Sequence, residues 1–192
     1  MLIVVVYVDD VLVAGQEKDV DELKQIVKTM VNITDLGIVK KHCGIWYQWQ
    51  QKDDGTCNVI ISMNDYVNTL INDYENEYGQ VKIASTPGPP NIVLCKSADI
   101  PLAKDKYRSY LGRIMYYVTK LAPECANATR ELAQQMECPG TEHWKAMRRL
   151  IGYLKGKDKH SLRYTQPHMF RIVAYVDSNF ATNPDNRRSV IT

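Results

Sequence analysis

The chain has 192 residues, of which 45% are hydrophobic, enough for one full core or two small ones. No apolar run reaches the roughly 20 residues of a membrane-spanning helix, and the apolar start of the chain carries no basic segment, so membrane and secreted classes are disfavoured. A net charge of +2 does not by itself indicate a nucleic-acid partner, and five scattered cysteines without a Cys-x-x-Cys pair indicate reduced thiols inside a cell.

Two adjacent aspartates, Asp9 and Asp10, lie between two apolar runs near the start of the chain. Residues 2–6 (LIVVV) and 11–15 (VLVAG) have the composition of strands, which predicts a hairpin with the acidic pair at its turn. At a buried hairpin tip, adjacent carboxylates repel each other and lose solvation unless a cation lies between them, and a hard divalent cation, Mg²⁺ or Mn²⁺, is the usual one. An ordinary Asp-Asp turn at the solvent end of a hairpin fits the same residues.

The next elements alternate between helix and strand. A capping-box pattern with Asp19 at the N-cap and Glu22 after it predicts an amphipathic helix over 19–32. Residues 38–50 and 57–62 are predicted as two strands, joined by the polar turn 52–55 (KDDG).

The second half of the chain is predicted to be mainly helical, with a proline-rich linker after its first helix. A helix capped by Asn64 is predicted to run to about Tyr78, and residues 84–105 are predicted as an extended linker. Helices are predicted over 105–120, 123–136 and 141–155, the last with Thr141 as its N-cap. Strands are predicted at 161–165 and 171–177.

The last of these helices carries a basic face opposite its apolar stripe. That face holds four residues that are candidates for binding nucleic-acid phosphates: Lys145, Arg148, Arg149 and Lys155. A solvated helix face without a ligand explains the same pattern.

Six separated blocks, in the same order, resemble the reverse transcriptase region of copia-type LTR retrotransposons. The blocks are 7–15 (YVDDVLVAG), 34–37 (TDLG) with 44–45 (GI), 85–87 (STP), 107–117 (YRSYLGRIMYY), 143–156 (HWKAMRRLIGYLKG), and 175–181 (YVDSNFA) with 185–189 (DNRRS). A single block of this kind is weak evidence, but an ordered set across nearly the whole chain is specific.

The resemblance implies roles for the residues that match the family's motifs. Asp9 and Asp10 match the two palm aspartates that hold Mg²⁺ (or Mn²⁺) for nucleotidyl transfer, and Tyr7 and Val8 match residues that pack beneath the primer terminus and the incoming nucleotide. Asp177 matches the first carboxylate of the RNase H metal site. The implied partners are an RNA/DNA template-primer, a dNTP and the remaining Pol segments, with no membrane, in a cytoplasmic particle or the nucleus.

The implied fold is α+β: a partial reverse transcriptase palm with a helical thumb and connection, followed by a truncated RNase H-like α/β segment. The corresponding division is 1–83 for the palm and the start of the thumb, 84–105 for a linker, 106–168 for the helical connection and 169–192 for the start of the RNase H-like domain. An open edge at residues 2–8 is expected to expose apolar surface and to promote aggregation.

The chain also departs from the family's pattern. The family's third palm aspartate lies on a strand well upstream of the tyrosine-x-Asp-Asp box, and none of the six residues before Tyr7 is acidic. The fingers and the later RNase H carboxylates have no match either, so the isolated chain is expected to be incompetent as a polymerase. The alternatives are a non-catalytic remnant that binds nucleic acid and an inert transposon relic.

Overall fold

The computed structural model describes residues 2–89, 94–95, 103–157, 160–165, 173–174, 178–179 and 190–191. They form a mixed α and β structure, compatible with the α+β class. The chain divides into two compact units, Met1–His42 and Cys43–Thr192. The predicted division at residues 83, 105 and 168 stays a prediction.

The first unit contains a β-hairpin and a helix. Strands β1 (Ile3–Tyr7) and β2 (Asp10–Ala14) pair antiparallel, which confirms the predicted hairpin, and helix α1 (Glu17–Met30) follows. The short strand β3 (Lys41–His42) ends the unit.

The predicted start of the first helix, at Asp19, is wrong by two residues. The N-cap is Gln16, whose backbone is extended and whose side chain makes no capping hydrogen bond, while its carbonyl accepts the first helical bond from Val20 at 3.0 Å. Asp19 therefore lies inside the first turn, where its charge, like that of Glu17, favours the positive end of the helix dipole.

Residues 2–42 include no buried side chain. The apolar side chains of β1 are half exposed, for example Val6 at 65%, which confirms the expected apolar surface. Whether this surface causes aggregation stays a prediction. The loop after α1 is held by an ion pair between Lys24 and Asp35 at 3.0 Å and by an Asp35 turn that accepts the Gly37 N–H at 2.9 Å.

A sheet forms one side of the second unit. Strands β4 (Ile45–Gln51) and β5 (Cys57–Ser62) pair antiparallel, as predicted, and β6 (Ser161–Thr165) pairs with the other edge of β5. The predicted strand 38–50 is too long, because Cys43 and Gly44 take positive φ angles of 47° and 75° that interrupt an extended chain.

The last predicted strand, 171–177, lies mostly outside the described residues. Val173 and Ala174 are described and have no regular structure, and two-residue strands β7 (Ser178–Asn179) and β8 (Val190–Ile191) pair antiparallel after them.

Helices supply the rest of the second unit. They are α2 (Asn64–Tyr78), α3 (Lys104–Leu121), a 3₁₀ turn (Pro123–Cys125), α4 (Ala126–Ala133) and α5 (Thr141–Lys155). The predicted helix 123–136 is too long. It is an α-helix only over Ala126–Ala133, because Pro123–Cys125 form a 3₁₀ turn. Residues 84–89, 94–95 and 103 of the predicted linker have no regular structure.

Two predicted helix caps are wrong by one position. Asn64 and Thr141 are the first residues of their helices, and the N-caps are Met63 and Gly140. At α5 the Gly140 N–H donates to Nδ1 of His143 at 2.8 Å, so the histidine satisfies a backbone group that the predicted threonine cap would not have reached.

The core of the second unit lies between the sheet and the four helices. Tyr107, Leu111, Ile114, Leu150 and Ile151 are fully buried there. At about 25 cal/mol per Å² of apolar surface removed from water, such a core is the main stabilising contribution of this unit.

Three buried polar side chains fasten the described residues Leu94 and Cys95 to this core. Glu131 accepts the Leu94 N–H at 3.2 Å, Gln135 donates to the Leu94 carbonyl at 2.9 Å, and His143 bonds the Cys95 carbonyl at 3.0 Å. These three buried side chains thus have hydrogen-bond partners, whereas Asn58 Oδ1, Asn64 Oδ1 and Thr129 Oγ1 are buried without one among the described residues.

The five cysteines are free thiols, in agreement with the sequence. Burial raises the pKa of the Cys125 thiol to about 12, which keeps it protonated and inert. Among the described residues, no helix combines the length and apolarity needed to cross a membrane.

Candidate functional site

The acidic pair lies at the tip of the first hairpin. Tyr7 pairs with Asp10, which leaves Val8 and Asp9 as a two-residue loop between the strands. All four residues are exposed, Tyr7 at 64% and Val8 at 86%. The hairpin therefore presents two neighbouring carboxylates and an apolar flank to the solvent, and the expected burial of the tip is wrong.

The backbone of this loop is strained at Val8. Its φ angle is +57°, in the left-handed region that a β-branched residue seldom adopts. A positive φ at the first loop residue is the position that glycine takes in type II′ hairpins. Strain of this kind costs about 1 to 3 kcal/mol and is concentrated at functional sites.

A second hairpin tip, in the second unit, provides an internal comparison because it also contains two adjacent aspartates. Between β4 and β5, Asp54 Oδ1 accepts hydrogen bonds from the backbone N–H of Thr56 at 2.9 Å and from its hydroxyl at 2.5 Å. The positive φ of +79° falls on Gly55, and the Thr56 bonds lower the pKa of Asp54. Here the carboxylate builds the turn.

The carboxylates of Asp9 and Asp10 make no side-chain hydrogen bond with the part of the chain that the structure describes. This tip therefore differs from the one at Asp54 in two ways. The residue with a positive φ is a valine and not a glycine, and the carboxylates do not stabilise the turn by hydrogen bonds. The exposed position fits the ordinary-turn explanation as well, so a cation site at this pair stays a prediction.

The donor set of the pair fits Mg²⁺ or Mn²⁺. Both cations prefer carboxylate oxygens, and Mg²⁺ is commonly held by one or two carboxylates together with water and substrate phosphates. Within the described ranges no group of three His, Cys, Asp or Glu side chains could hold a metal ion. Asp177, the third predicted metal ligand, lies outside the described residues.

The predicted basic face on α5 is divided by the structure into two parts, and Arg148 belongs to the internal part. Its guanidinium donates to the carbonyls of Tyr78 at 3.0 Å and Gln80 at 2.5 Å. Arg148 thus satisfies carbonyl groups at the C-terminal end of α2, where a cation also favours the helix dipole.

Lys155 is the second internal member of the predicted face. Its ammonium pairs with Glu75 at 2.7 Å, and the Glu75 side chain is only 9% exposed. The same carboxylate oxygen accepts the Val81 N–H at 2.8 Å. The Lys155 hydrogen bond, followed by the Val81 N–H, lowers the pKa of Glu75.

Lys145 and Arg149 form the exposed part of the face. Lys145 pairs with Glu142 at 2.7 Å, with both side chains mostly in solvent, and Arg149 donates to the hydroxyl of Thr86 at 2.8 Å. Together with Arg148 they border a cleft of about 550 Å³ whose other side is the segment 80–85.

Gly152 of α5 and Gly156, the C-cap of that helix, position this segment, and the sequence prediction missed both. A Cβ on Gly152 would lie 2.2 Å from the Lys82 carbonyl oxygen, and one on Gly156 would lie 2.7 Å from Cγ2 of Ile83. Ala84 also donates its N–H to the Gly152 carbonyl at 3.2 Å. The four-residue spacing of the glycines, which places them on one helix face, was the signal available in the sequence.

The chain is similar to three proteins of transposable elements. It is 25% identical to the retrovirus-related Pol polyprotein from transposon TNT 1-94 of Nicotiana tabacum, over 98% of this chain and 14% of that protein. It is 26% identical to a putative transposon Ty5-1 protein of Saccharomyces cerevisiae, over 92% of this chain and 56% of that protein. It is 25% identical to the retrovirus-related Pol polyprotein from transposon RE2 of Arabidopsis thaliana, over 97% of this chain and 12% of that protein.

The chain thus spans about a seventh of the tobacco polyprotein and just over half of the yeast protein. Homologues of this kind support a retrotransposon Pol origin. No family model matches the chain, and no solved structure matches it.

Proposed function

Taking a retrotransposon Pol origin as the premise, we propose that this chain is part of the RNA-directed DNA polymerase of a copia-type element. In this proposal Asp9 and Asp10 bind the divalent cations of the nucleotidyl-transfer site, and Tyr7 and Val8 contact the primer terminus and the incoming nucleotide. Asp177 would be the first carboxylate of an RNase H site.

The observation that carries the proposal is the geometry of the Asp9–Asp10 tip. A valine with φ +57° holds two exposed, adjacent carboxylates at the end of a two-residue loop. The chain has a strain-free way to build an Asp-Asp hairpin, since it uses one at Gly55. The strained version at Val8 is therefore consistent with a functional requirement on the tip.

The reaction itself joins the 3′-oxygen of a primer to the α-phosphorus of a dNTP and breaks the bond to pyrophosphate. Divalent cations, when bound, would activate the 3′-hydroxyl and stabilise the charge on the departing pyrophosphate. The chain's own contribution would be to hold two carboxylates in fixed positions at the tip, with the flat Tyr7 ring beside them as a surface for a base or sugar.

The proposal is tested by equilibrium binding of a dNTP to the full chain in the presence of Mn²⁺. We expect Asp9→Asn and Asp10→Asn each to weaken binding of the Mn²⁺–dNTP complex at least about tenfold, because each removes a charged ligand. Asp53→Asn, which alters the other acidic tip by the same chemistry, is the matched control and should bind like the wild type. Equal binding by all four proteins would contradict the proposal.

A second measurement separates a polymerase from a simple metal site. The addition of a base-paired primer with an RNA template should strengthen binding of the complementary dNTP over the other three. If the chain binds all four dNTPs equally, with or without primer-template, the tip acts as a simple metal-nucleotide site in the isolated chain.

A further inference from the structure

The stretch after α2 contains the one place in the 192-residue sequence where a serine or threonine is followed by proline, at Thr86–Pro87. Thr86 is exposed, and residues 84–89 have no regular structure. Proline has no N–H and keeps the residue before it out of the helical conformation. An exposed, non-helical threonine followed by proline has the local chemistry that proline-directed protein kinases select.

The Thr86 hydroxyl is oriented by a cation. Its oxygen accepts a hydrogen bond from Nη2 of Arg149 at 2.8 Å, and both side chains are exposed. Because the oxygen is the acceptor in this bond, its own proton stays available for transfer to a base. A phosphate attached to the same oxygen would lie beside a guanidinium, whose planar fork of donors matches phosphate oxygens.

The path of the chain brings Thr86 back along α5. Ile83 lies against Gly156, just after the helix, where an added Cβ would be 2.7 Å from Cγ2 of the isoleucine. Three residues later Thr86 contacts Arg149, about two helical turns earlier in α5. The chain therefore turns back between these contacts, toward the helical turn that carries Lys145.

The cleft beside Thr86 is positively charged. The segment and the helix together contribute four cations to its lining: Lys82, Lys145, Arg148 and Arg149. Among the described residues, none that borders the cleft is acidic. Lys145 pairs with Glu142, but both side chains are mostly in solvent, and pairs of this kind contribute little and exchange readily. The cleft thus has cations to offer to an anion that forms at its edge.

We propose that Thr86 is a phosphorylation site for a proline-directed serine/threonine kinase and that the cleft binds the resulting phosphate through Arg149 and Lys145. In the transfer, Oγ1 of Thr86 attacks the γ-phosphorus of ATP, the bond to ADP breaks, and the hydroxyl proton goes to a base of the kinase. The product carries a charge of about −1.5 to −2 where the threonine was neutral. New charge-assisted hydrogen bonds to Arg149 would then hold the modified segment on α5.

The first experiment incubates the full chain with MgATP and a recombinant mitogen-activated protein kinase, and tandem mass spectrometry locates the phosphate. We expect one phosphate, on Thr86. Thr86→Val keeps the shape of the side chain without its hydroxyl and should accept none. Ser85→Ala removes the neighbouring exposed hydroxyl and is the matched control, which should be phosphorylated at the wild-type rate. A synthetic peptide of residues 80–89 tests the same segment outside the fold.

The second experiment asks whether the cleft holds the phosphate. The second pKa of phosphothreonine is ordinarily about 6, and neighbouring cations lower it because they favour the dianion. In a ³¹P NMR titration we expect the phosphate pKa to be about 5.5 or lower in the phosphorylated wild type and to return to about 6 in Arg149→Gln. Arg163→Gln, which removes the same charge from an exposed position of β6, is the matched control and should keep the lowered value.

Several results would overturn the inference. Transfer to the peptide but not to the folded chain, transfer to neither, or transfer to Ser85 would remove Thr86 as the modified residue. The same phosphate pKa in the wild type and in Arg149→Gln would remove the cleft as its binding site. Thermal melts followed by circular dichroism show whether each variant is folded, and Lys145→Gln is the second exposed change if Arg149→Gln melts early.

The inference does not depend on the proposed polymerase function. Thr86 and the cleft belong to the second unit, whereas the Asp9–Asp10 tip belongs to the first. Asp9→Asn should therefore leave both the transfer of phosphate to Thr86 and the phosphate pKa unchanged, so failure of the nucleotide site and failure of the phosphorylation site give different results.

Discussion

The two units of this protein differ in how much apolar surface they bury. In the second unit, helices α2 to α5 and the sheet bury a continuous core that includes Tyr107, Ile114 and Leu150. In the first unit, α1 buries no residue and the apolar side chains of the hairpin are half exposed. Since apolar burial is the main source of stability, most of the folding free energy resides in the second unit.

The same contrast appears in their acidic hairpin tips. At Asp54 the carboxylate and Gly55 build a relaxed turn, whereas at Asp9 the loop places Val8 in a strained conformation and leaves both carboxylates exposed. The Asp-Asp pair of the well-packed unit therefore has a structural role, and the Asp-Asp pair of the poorly packed unit has a candidate chemical role.

The largest effect is expected from removing the same side chain in each unit. Ile114→Ala, at a fully buried position of α3, should lower the free energy of unfolding by about 3 kcal/mol. Ile26→Ala, at a 48% exposed position of α1, should change it by less than about 0.5 kcal/mol. Urea unfolding followed by circular dichroism measures both, and equal losses would remove the contrast between the units.

Substitutions at two helical glycines test whether the stability of the second unit depends on close packing. Gly152→Ala would place a Cβ 2.2 Å from the Lys82 carbonyl oxygen and should cost about 3 kcal/mol. Gly112→Ala, in α3 with nothing within 4 Å, should instead stabilise the protein by about 0.5 to 1 kcal/mol. If both changes stabilise the protein, segment 80–85 does not pack on α5 as described.

The two hairpin tips should respond to glycine in opposite directions. Gly55→Ala, at φ +79°, should destabilise its hairpin by about 1 kcal/mol, while Val8→Gly should relieve strain and stabilise the first hairpin by about 0.5 kcal/mol. Amide hydrogen exchange of β1 and β5 reports each hairpin locally. A loss of protection in β1 on Val8→Gly would show that Val8 is not strained.

The smallest effect is a pH dependence of the second tip. The hydroxyl and backbone N–H of Thr56 hold the pKa of Asp54 below its ordinary value of 3.8, so the carboxylate stabilises the fold above that pH and loses this contribution as the pH falls through the lowered value. Asp54→Asn should therefore flatten the acid limb of the stability curve below about pH 4. An unchanged acid limb would mean that the Thr56 hydrogen bonds are absent in solution.

Local patterns in the sequence were sufficient for the elements and for the hairpin tips. The apolar runs on both sides of the Asp9–Asp10 pair and the glycine at position 55 are short-range signals, and both turns form where they predict. Helix starts were less predictable. Asn64 and Thr141 are good capping residues, yet Met63 and Gly140 occupy the caps, because the position of a helix start also depends on how the preceding backbone enters the core.

The candidate basic face shows why site prediction was only partial. Helical spacing placed Lys145, Arg148, Arg149 and Lys155 together on α5, as the structure does. It could not show that Arg148 and Lys155 bind groups on and after α2, some 70 and 80 residues earlier in the chain. Likewise the role of Gly152 depends on a contact with Lys82, which no local pattern contains.

The central claim is that the Asp9–Asp10 tip, and not the Asp53–Asp54 tip, binds a divalent cation. The most direct test is the broadening of amide NMR signals by substoichiometric Mn²⁺ in the full chain. We predict selective broadening of residues near the first tip, lost in the Asp9→Asn and Asp10→Asn proteins and retained in Asp53→Asn. Equal broadening at both tips, or broadening that survives both substitutions at the first tip, would contradict the account.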